Sequence, residues 1–95
     1  MICLMVTYVF ESDEKREEFF EGLYANNIPD TFLNEKGNMM YDYFFPVEND
    51  NELLLVEKWE NQADLDAHGK SGKMELLSKL KTELVKDVKI EKYQA

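Results

Sequence analysis

The first ten residues constrain the fold more than any other feature of the chain. Read as an extended strand, Met1–Phe10 places Ile2, Leu4, Val6, Tyr8 and Phe10 on one face and Cys3, Met5, Thr7 and Val9 on the other. Both faces are apolar. Such a strand belongs inside a sheet with cover on both sides, by a layer of helices on one and by something else, a partner subunit, on the other. It has no basic leader and falls far short of the roughly 20 apolar residues of a membrane span, so it reads as core and not as an export or membrane segment.

With 95 residues, 44% hydrophobic and 13% aromatic, the chain suits a single domain over 1–95 and is too apolar for disorder. Twenty acidic against 11 basic residues give a net charge of −9, which disfavours nucleic acid because phosphate contacts need a clustered basic surface. Cys3 is the one cysteine and His68 the one histidine. No internal disulfide can form, which fits a reducing cytoplasm, and no zinc set is present.

The remaining pattern predicts strand, helix, strand, strand, broken helix, strand. Ser12, with Asp13 and Glu14 behind it, caps a helix running to about Asn26 with Phe19, Phe20, Leu23 and Tyr24 as its apolar stripe. Asn26, Asn27 and Pro29 are read as its stop, and a loop through Asn34, Glu35, Lys36 and Gly37 leads to the next strand. Asn38–Phe45 is the second strand, with Met39, Tyr41, Tyr43 and Phe45 on one face, and a polar turn leads to a third over Glu52–Glu60. Asn61 starts a short helix that Gly69 ends, Ser71 restarts one with Met74, Leu77, Leu80 and Leu84 at helical spacing, and Asp87–Tyr93 is the last strand. This order predicts an α+β, ferredoxin-like βαββαβ fold, a four-stranded antiparallel sheet with helices on one face. The bare face predicts a homodimer packed sheet to sheet. Residues 1–69 carry a charge of −12 and residues 70–95 carry +3; an acidic first helix lying beside a basic last helix accounts for the asymmetry without a ligand.

Several motifs fail on inspection. Gly69-Lys70-Ser71 resembles the end of a phosphate-binding loop, but that motif's first glycine would fall at Asp64, and Glu48–Glu52 lacks the glycine and terminal Glu spacing of a calcium loop. The side chains able to do chemistry are few. His68 alone has an ordinary pKa near neutrality, which makes it the candidate general base, against a plain reading as a helix C-terminal residue facing the dipole. Trp59 is a large core anchor that can also wall a cavity. Glu57, if it shares the side of Leu55 and Trp59, must be hydrogen-bonded, paired or shifted in pKa. Tyr41 and Tyr43 can donate phenolic hydrogen bonds or simply pack across the hairpin.

These residues also carry a family likeness. Leu55-Val56-Glu57-Lys58-Trp59-Glu60, then Ala63-Asp64-Leu65-Asp66-Ala67-His68 and Ser71, resembles the signature of the antibiotic biosynthesis monooxygenase family, and Glu35-x-Gly37 followed by Tyr41 resembles that family's lead-in to strand two. The resemblance implies a dimeric α/β barrel that oxidises hydroquinones or phenols with O2 and without flavin, metal or haem. It implies His68 as base, with Trp59, Tyr41, Tyr24 and Phe20 shaping the pocket. Leu55 and Leu65 stand where polyketide-tailoring members have Asn and Tyr, and strand one lacks the Asn of haem-degrading members. The remaining likeness is to the quinol-monooxygenase-like subgroup. Two alternatives stand beside it: a small-molecule isomerase or lyase on the same scaffold, for which Lys58, Lys70 and Lys73 are the candidate cations, and a non-catalytic binding or stress-response dimer.

Overall fold

A computed structural model describes residues 1–94. The elements are β1 (Ile2–Val9), α1 (Asp13–Ala25), α2 (Ile28–Leu33), β2 (Asn38–Phe44), β3 (Glu52–Trp59), α3 (Gln62–His68), α4 (Lys73–Leu84) and β4 (Asp87–Gln94). The sheet order is β2-β3-β1-β4 with every neighbouring pair antiparallel. The helices lie on one face, as the periodicities predict.

Local chemistry explains the boundaries. The Lys15 backbone N–H donates to Ser12 Oγ at 3.2 Å, with Asp13 and Glu14 in the first turn of α1, where acids favour the helix dipole. At the other end of α1, Asn26 Nδ2 donates to the Gly22 carbonyl at 2.8 Å. Asn61 caps α3 by accepting the Asp64 N–H at 2.9 Å, and Gly69 follows as its C-cap. Helix α4 packs beside α1. A Cβ at Gly22 would lie 2.9 Å from the Leu80 side chain, so glycine there permits the close approach. Lys73 Nζ adds a 2.7 Å hydrogen bond to the Asn26 carbonyl, at the negative end of α1.

Two expectations are corrected. Pro29 is not only a stop: it sits in the first turn of α2, where its missing N–H costs nothing, so the residue read as ending α1 also starts a second helix. Met39 does not share the face of Tyr41 and Tyr43. The register steps from Asn38↔Trp59 to Met40↔Lys58, so an irregularity at Met39 turns its side chain out to 59% exposure.

The core fills the space between sheet and helices with Val6, Tyr8, Phe10, Phe19, Leu23, Phe32, Leu53, Leu55, Trp59 and Leu77. Each large apolar side chain buried this way contributes roughly 1.5–3 kcal/mol before entropy is counted. Among the described residues no helix covers the other face of the sheet. Cys3, Met5 and Val9 of β1 lie there beside Leu54 and Val56 of β3, all half-buried, and Phe44 of β2 and Tyr93 of β4 are about half exposed. Among the described residues no helix is long and apolar enough to cross a membrane.

Candidate active site

His68 is the last residue of α3 and only 5% exposed. The polar cap at Asn61 fixes where α3 begins, and seven residues later the helix delivers the imidazole over the end of β3. It lies against the Trp59 indole, with ring centres 4.6 Å apart and planes tilted by 31°. Phe32 of α2 meets its edge at 4.5 Å, and Tyr41 lies at 5.8 Å. Three elements therefore clamp the ring.

Each ring nitrogen faces a carboxylate. Nδ1 is 2.6 Å from Glu35 Oε1, and Nε2 is 3.9 Å from Glu57 Oε1. Glu57 does face inward with Leu55 and Trp59, because strand periodicity puts these three alternate residues on one side. The Trp59 indole N–H donates to Glu57 Oε1 at 2.8 Å. Burial pushes the Glu57 carboxyl above its ordinary value, while the indole N–H and, when its ring is protonated, the positive charge of His68 pull it back down. The buried charge is thus hydrogen-bonded, near a partner and shifted, the three ways in which a carboxylate tolerates an apolar strand.

Glu57 and His68 line a cleft of about 240 Å³ between the sheet and α4. Its walls include Leu4, Val6, Leu65, Met74, Leu77 and Val88, and Tyr8 and Tyr41 join the carboxylate and imidazole as its polar groups. Burial holds both phenols well above their ordinary value, so each stays a neutral hydroxyl. Lys81 also lines this cleft. His68 lines a second pocket as well, of about 450 Å³, with Glu35, Lys36, Asp64 and Ser71. The imidazole thus belongs to an apolar cleft and to a polar pocket.

The turn that carries Glu35 is seated by its neighbours. Gly37 has φ of +81°, and a Cβ there would overlap the Asp64 carboxylate. Its carbonyl accepts the Glu60 N–H at 2.8 Å. The two halves of the sequence signature, Glu35-x-Gly37 and the segment from Glu57 to His68, are therefore one physical unit.

Of the residues singled out from sequence, His68, Glu57 and Tyr41 line the cleft, and Trp59 is fully buried behind the imidazole. Phe20, Tyr24 and Tyr43 are not brought to it. Phe20 packs on Tyr24, Tyr43 and Phe45, and Tyr24 and Tyr43 line a separate groove at the edge of β2. Of the candidate cations, Lys73 is engaged with Asn26, Lys58 pairs with Cys3 on the open face and Lys70 is exposed; the cleft has Lys81 instead. Sequence reasoning missed Glu35 and Tyr8 as site residues. Tyr8 was legible in the alternation of β1. Glu35 was marked only by its place in a motif. Among the described residues no group of three or more His, Cys, Asp and Glu side chains is placed to hold a metal ion.

Known proteins resemble this chain in sequence and in fold. The chain is 30% identical over 70 residues to YcnE of Bacillus subtilis (strain 168), named a candidate monooxygenase, with 74% of this chain and 72% of that protein covered. It is also 34% identical over 82 residues to part of a peptidyl-tRNA hydrolase of Mycoplasmopsis pulmonis (strain UAB CTIP), 76% of this chain but 44% of that longer protein. Among solved structures, a candidate antibiotic biosynthesis monooxygenase from Nitrosomonas europaea superposes with a TM-score of 0.87 at 20% identity, over 100% of this chain and 98% of that one. A conserved protein from Methanosarcina mazei Go1 gives 0.85 at 24% identity, over 98% and 90%. These two likenesses show the fold. The family model for antibiotic biosynthesis monooxygenases matches residues 1–79, from β1 through most of α4 and across the whole Glu35–Glu57–His68 unit, and the chain belongs to the antibiotic biosynthesis monooxygenase family.

Proposed function

We propose that the protein oxidises a small, one-ring phenol or quinol with O2, using no flavin, metal or haem. The observation that carries this reading is the facing pair His68 Nε2 and Glu57 Oε1, 3.9 Å apart at the polar end of an apolar cleft. Two atoms at that separation leave a seat for a third, and a hydroxyl oxygen can lie about 2.8 Å from both. A ligand cleft for drug-sized molecules is roughly 300–1,000 Å³, so a smaller one suits a single ring.

In this reading His68 Nε2 takes the phenolic proton, and the O–H pair becomes the electron-rich phenolate. The ring itself reduces O2. For a hydroquinone the sum is one quinol plus one O2 to one hydroxyquinone plus one water, with all four electrons leaving the ring. In this reading Tyr8 and Tyr41, which line the cleft and are held neutral by burial, donate hydrogen bonds to developing oxyanions, and the apolar walls keep water from competing. Trp59 acts from behind, by orienting Glu57 and backing the imidazole. A second copy of the chain covers the open sheet face in this proposal, which would bury the apolar residues of β1 and β3 and extend the cover of the barrel.

Oxygen uptake by the metal-free protein on a panel of one-ring quinols and catechols tests the reading. Uptake saturable in substrate, and lost in His68→Ala with the fold intact, is the expected result. Uptake equal to autoxidation in buffer across the panel overturns it. Lys81 favours one second reading, an isomerase or lyase acting on a small anionic molecule, because it is a cation lining the cleft. That activity would consume no oxygen and would fall on Lys81→Met.

A further inference from the structure

We infer that Glu35 is a positioning residue, which reaches His68 from outside the cleft and sets which ring nitrogen is free to act inside it. The inference rests on the proposed function only for its kinetic consequence; the placement of the proton on the imidazole stands independently. Glu35 comes from the turn before β2, and it lines the polar pocket and not the apolar cleft. Its Oε1 is nevertheless 2.6 Å from His68 Nδ1, the shortest of the imidazole's polar contacts.

An ionised carboxylate only accepts, so the hydrogen in this bond belongs to Nδ1. A neutral imidazole carries one N–H, and placing it on Nδ1 leaves the Nε2 lone pair directed at the Glu57 side. Among the described residues Nε2 has no hydrogen-bond partner; its nearest carboxylate oxygen is 3.9 Å away and already receives the Trp59 N–H. The chain thus spends one carboxylate on orientation and leaves the other nitrogen open. When Nε2 accepts a proton from a substrate hydroxyl, the O–H bond breaks and the N–H bond forms. The resulting imidazolium keeps its Nδ1–H on Glu35, whose negative charge stabilises it, and the same proton is available on Nε2 for the reduced oxygen. Glu35 gains and loses no proton in this cycle. Its own seat is firm: the Gly37 turn two residues on is packed against Asp64, so the carboxylate is presented by a locked segment.

The chain has one histidine, so the tautomer can be read without assignment. Long-range 1H–15N correlation on the full-length labelled protein near neutral pH is expected to show His68 with its hydrogen on Nδ1. In the near-isosteric Glu35→Gln, whose amide can donate as well as accept, Nε2–H should be populated, and kcat on a phenol that the wild type oxidises should fall about 10- to 100-fold with KM within about twofold. Glu35→Asp, which keeps an acceptor-only group, should recover part of that loss. The pH profile of kcat reports the same imidazole in a setting of Glu35 from its turn, Tyr41 and Glu57 from β2 and β3, Tyr8 and Lys81 across the cleft, and Lys36 and Asp64 across the polar pocket; its acidic limb should move in Glu35→Gln. Wild-type His68 carrying its hydrogen on Nε2 overturns the inference, even if the protein oxidises phenols. So does Glu35→Gln that retains both the Nδ1–H tautomer and full kcat. A protein that oxidises no phenol yet loses the Nδ1–H tautomer in Glu35→Gln supports the positioning role and rejects the activity.

Discussion

Two aromatic groups share the helix-covered side of the sheet. Phe32, Tyr41, Trp59 and His68 lie between α3 and the β2–β3 hairpin, with ring centres 4.5–5.8 Å apart. Phe20, Tyr24, Tyr43 and Phe45 lie along α1, with Phe20 at 4.9–6.1 Å from the other three. Tyr41 and Tyr43, neighbours on one strand, join the groups at 5.9 Å. The packing is similar, yet the first group encloses a histidine between two carboxylates, whereas the second offers only Arg16, whose guanidinium lies 4.7 Å above the Phe45 ring. Aromatic density therefore does not mark a site by itself. A buried titratable pair beside a cleft marks a candidate site, because desolvation strengthens its electrostatics and leaves it unable to relax into water.

The comparison is broken most severely by removing the titratable centre. His68→Ala should lower phenol-dependent oxygen uptake by about 10²- to 10⁴-fold, while Tyr24→Ala, in the second group, should leave it within about twofold; equal losses in both would mean that the groups are not functionally distinct. Next in size is the turn that seats Glu35. Gly37→Ala forces a side chain into the left-handed region and onto Asp64, and should destabilise the fold by about 2–3 kcal/mol, a fall of roughly 10 °C or more in the melting temperature of a chain this long. Trp59→Phe keeps a ring beside His68 but removes the N–H that Glu57 accepts, and should cost about 1.5–3 kcal/mol by denaturant unfolding.

Glu57→Gln sharpens the contrast through pH. Burial makes the folded chain hold the Glu57 proton more tightly than the unfolded chain, so the contribution of this group to stability is full below its ordinary value of 4.5 and is lost as pH rises through the raised folded value. Wild-type stability relative to Glu57→Gln should therefore decline from about pH 4.5 upward, measured by urea unfolding of both proteins across pH; an unchanged difference would mean that burial does not control this carboxyl. The smallest effect belongs to the surface group. Tyr24 is 55% exposed, and Tyr24→Ala should change stability by less than about 1 kcal/mol.

Much of the fold was legible because its signals are local. Period-two alternation in β1 and β3, the Ser12 and Asn61 caps and the Gly69 stop act within a few residues, and the structure places every element but α2 within one or two residues of its expected bounds. Helix α2 escaped because it has six residues, too few for a periodic stripe, and because a proline ends one helix and opens another by the same missing N–H. Met39 escaped because a bulge breaks the period on which the face assignment depended.

The site divides along the same line. The sequence alone determined that His68 is the one side chain whose ordinary pKa lies near neutrality, that Glu57 and Trp59 share a strand face, and that β1 must be covered on one side by helices. Alternation and ordinary pKa values are properties of residues and their immediate neighbours. Only the tertiary structure decided that Glu35 meets Nδ1 from a turn 33 residues away, that Tyr8 and Lys81 enter the cleft, and that Phe20, Tyr24 and Tyr43 stay outside it. These depend on how α3 and α4 settle on the sheet, a collective result of packing that no spacing along the chain encodes.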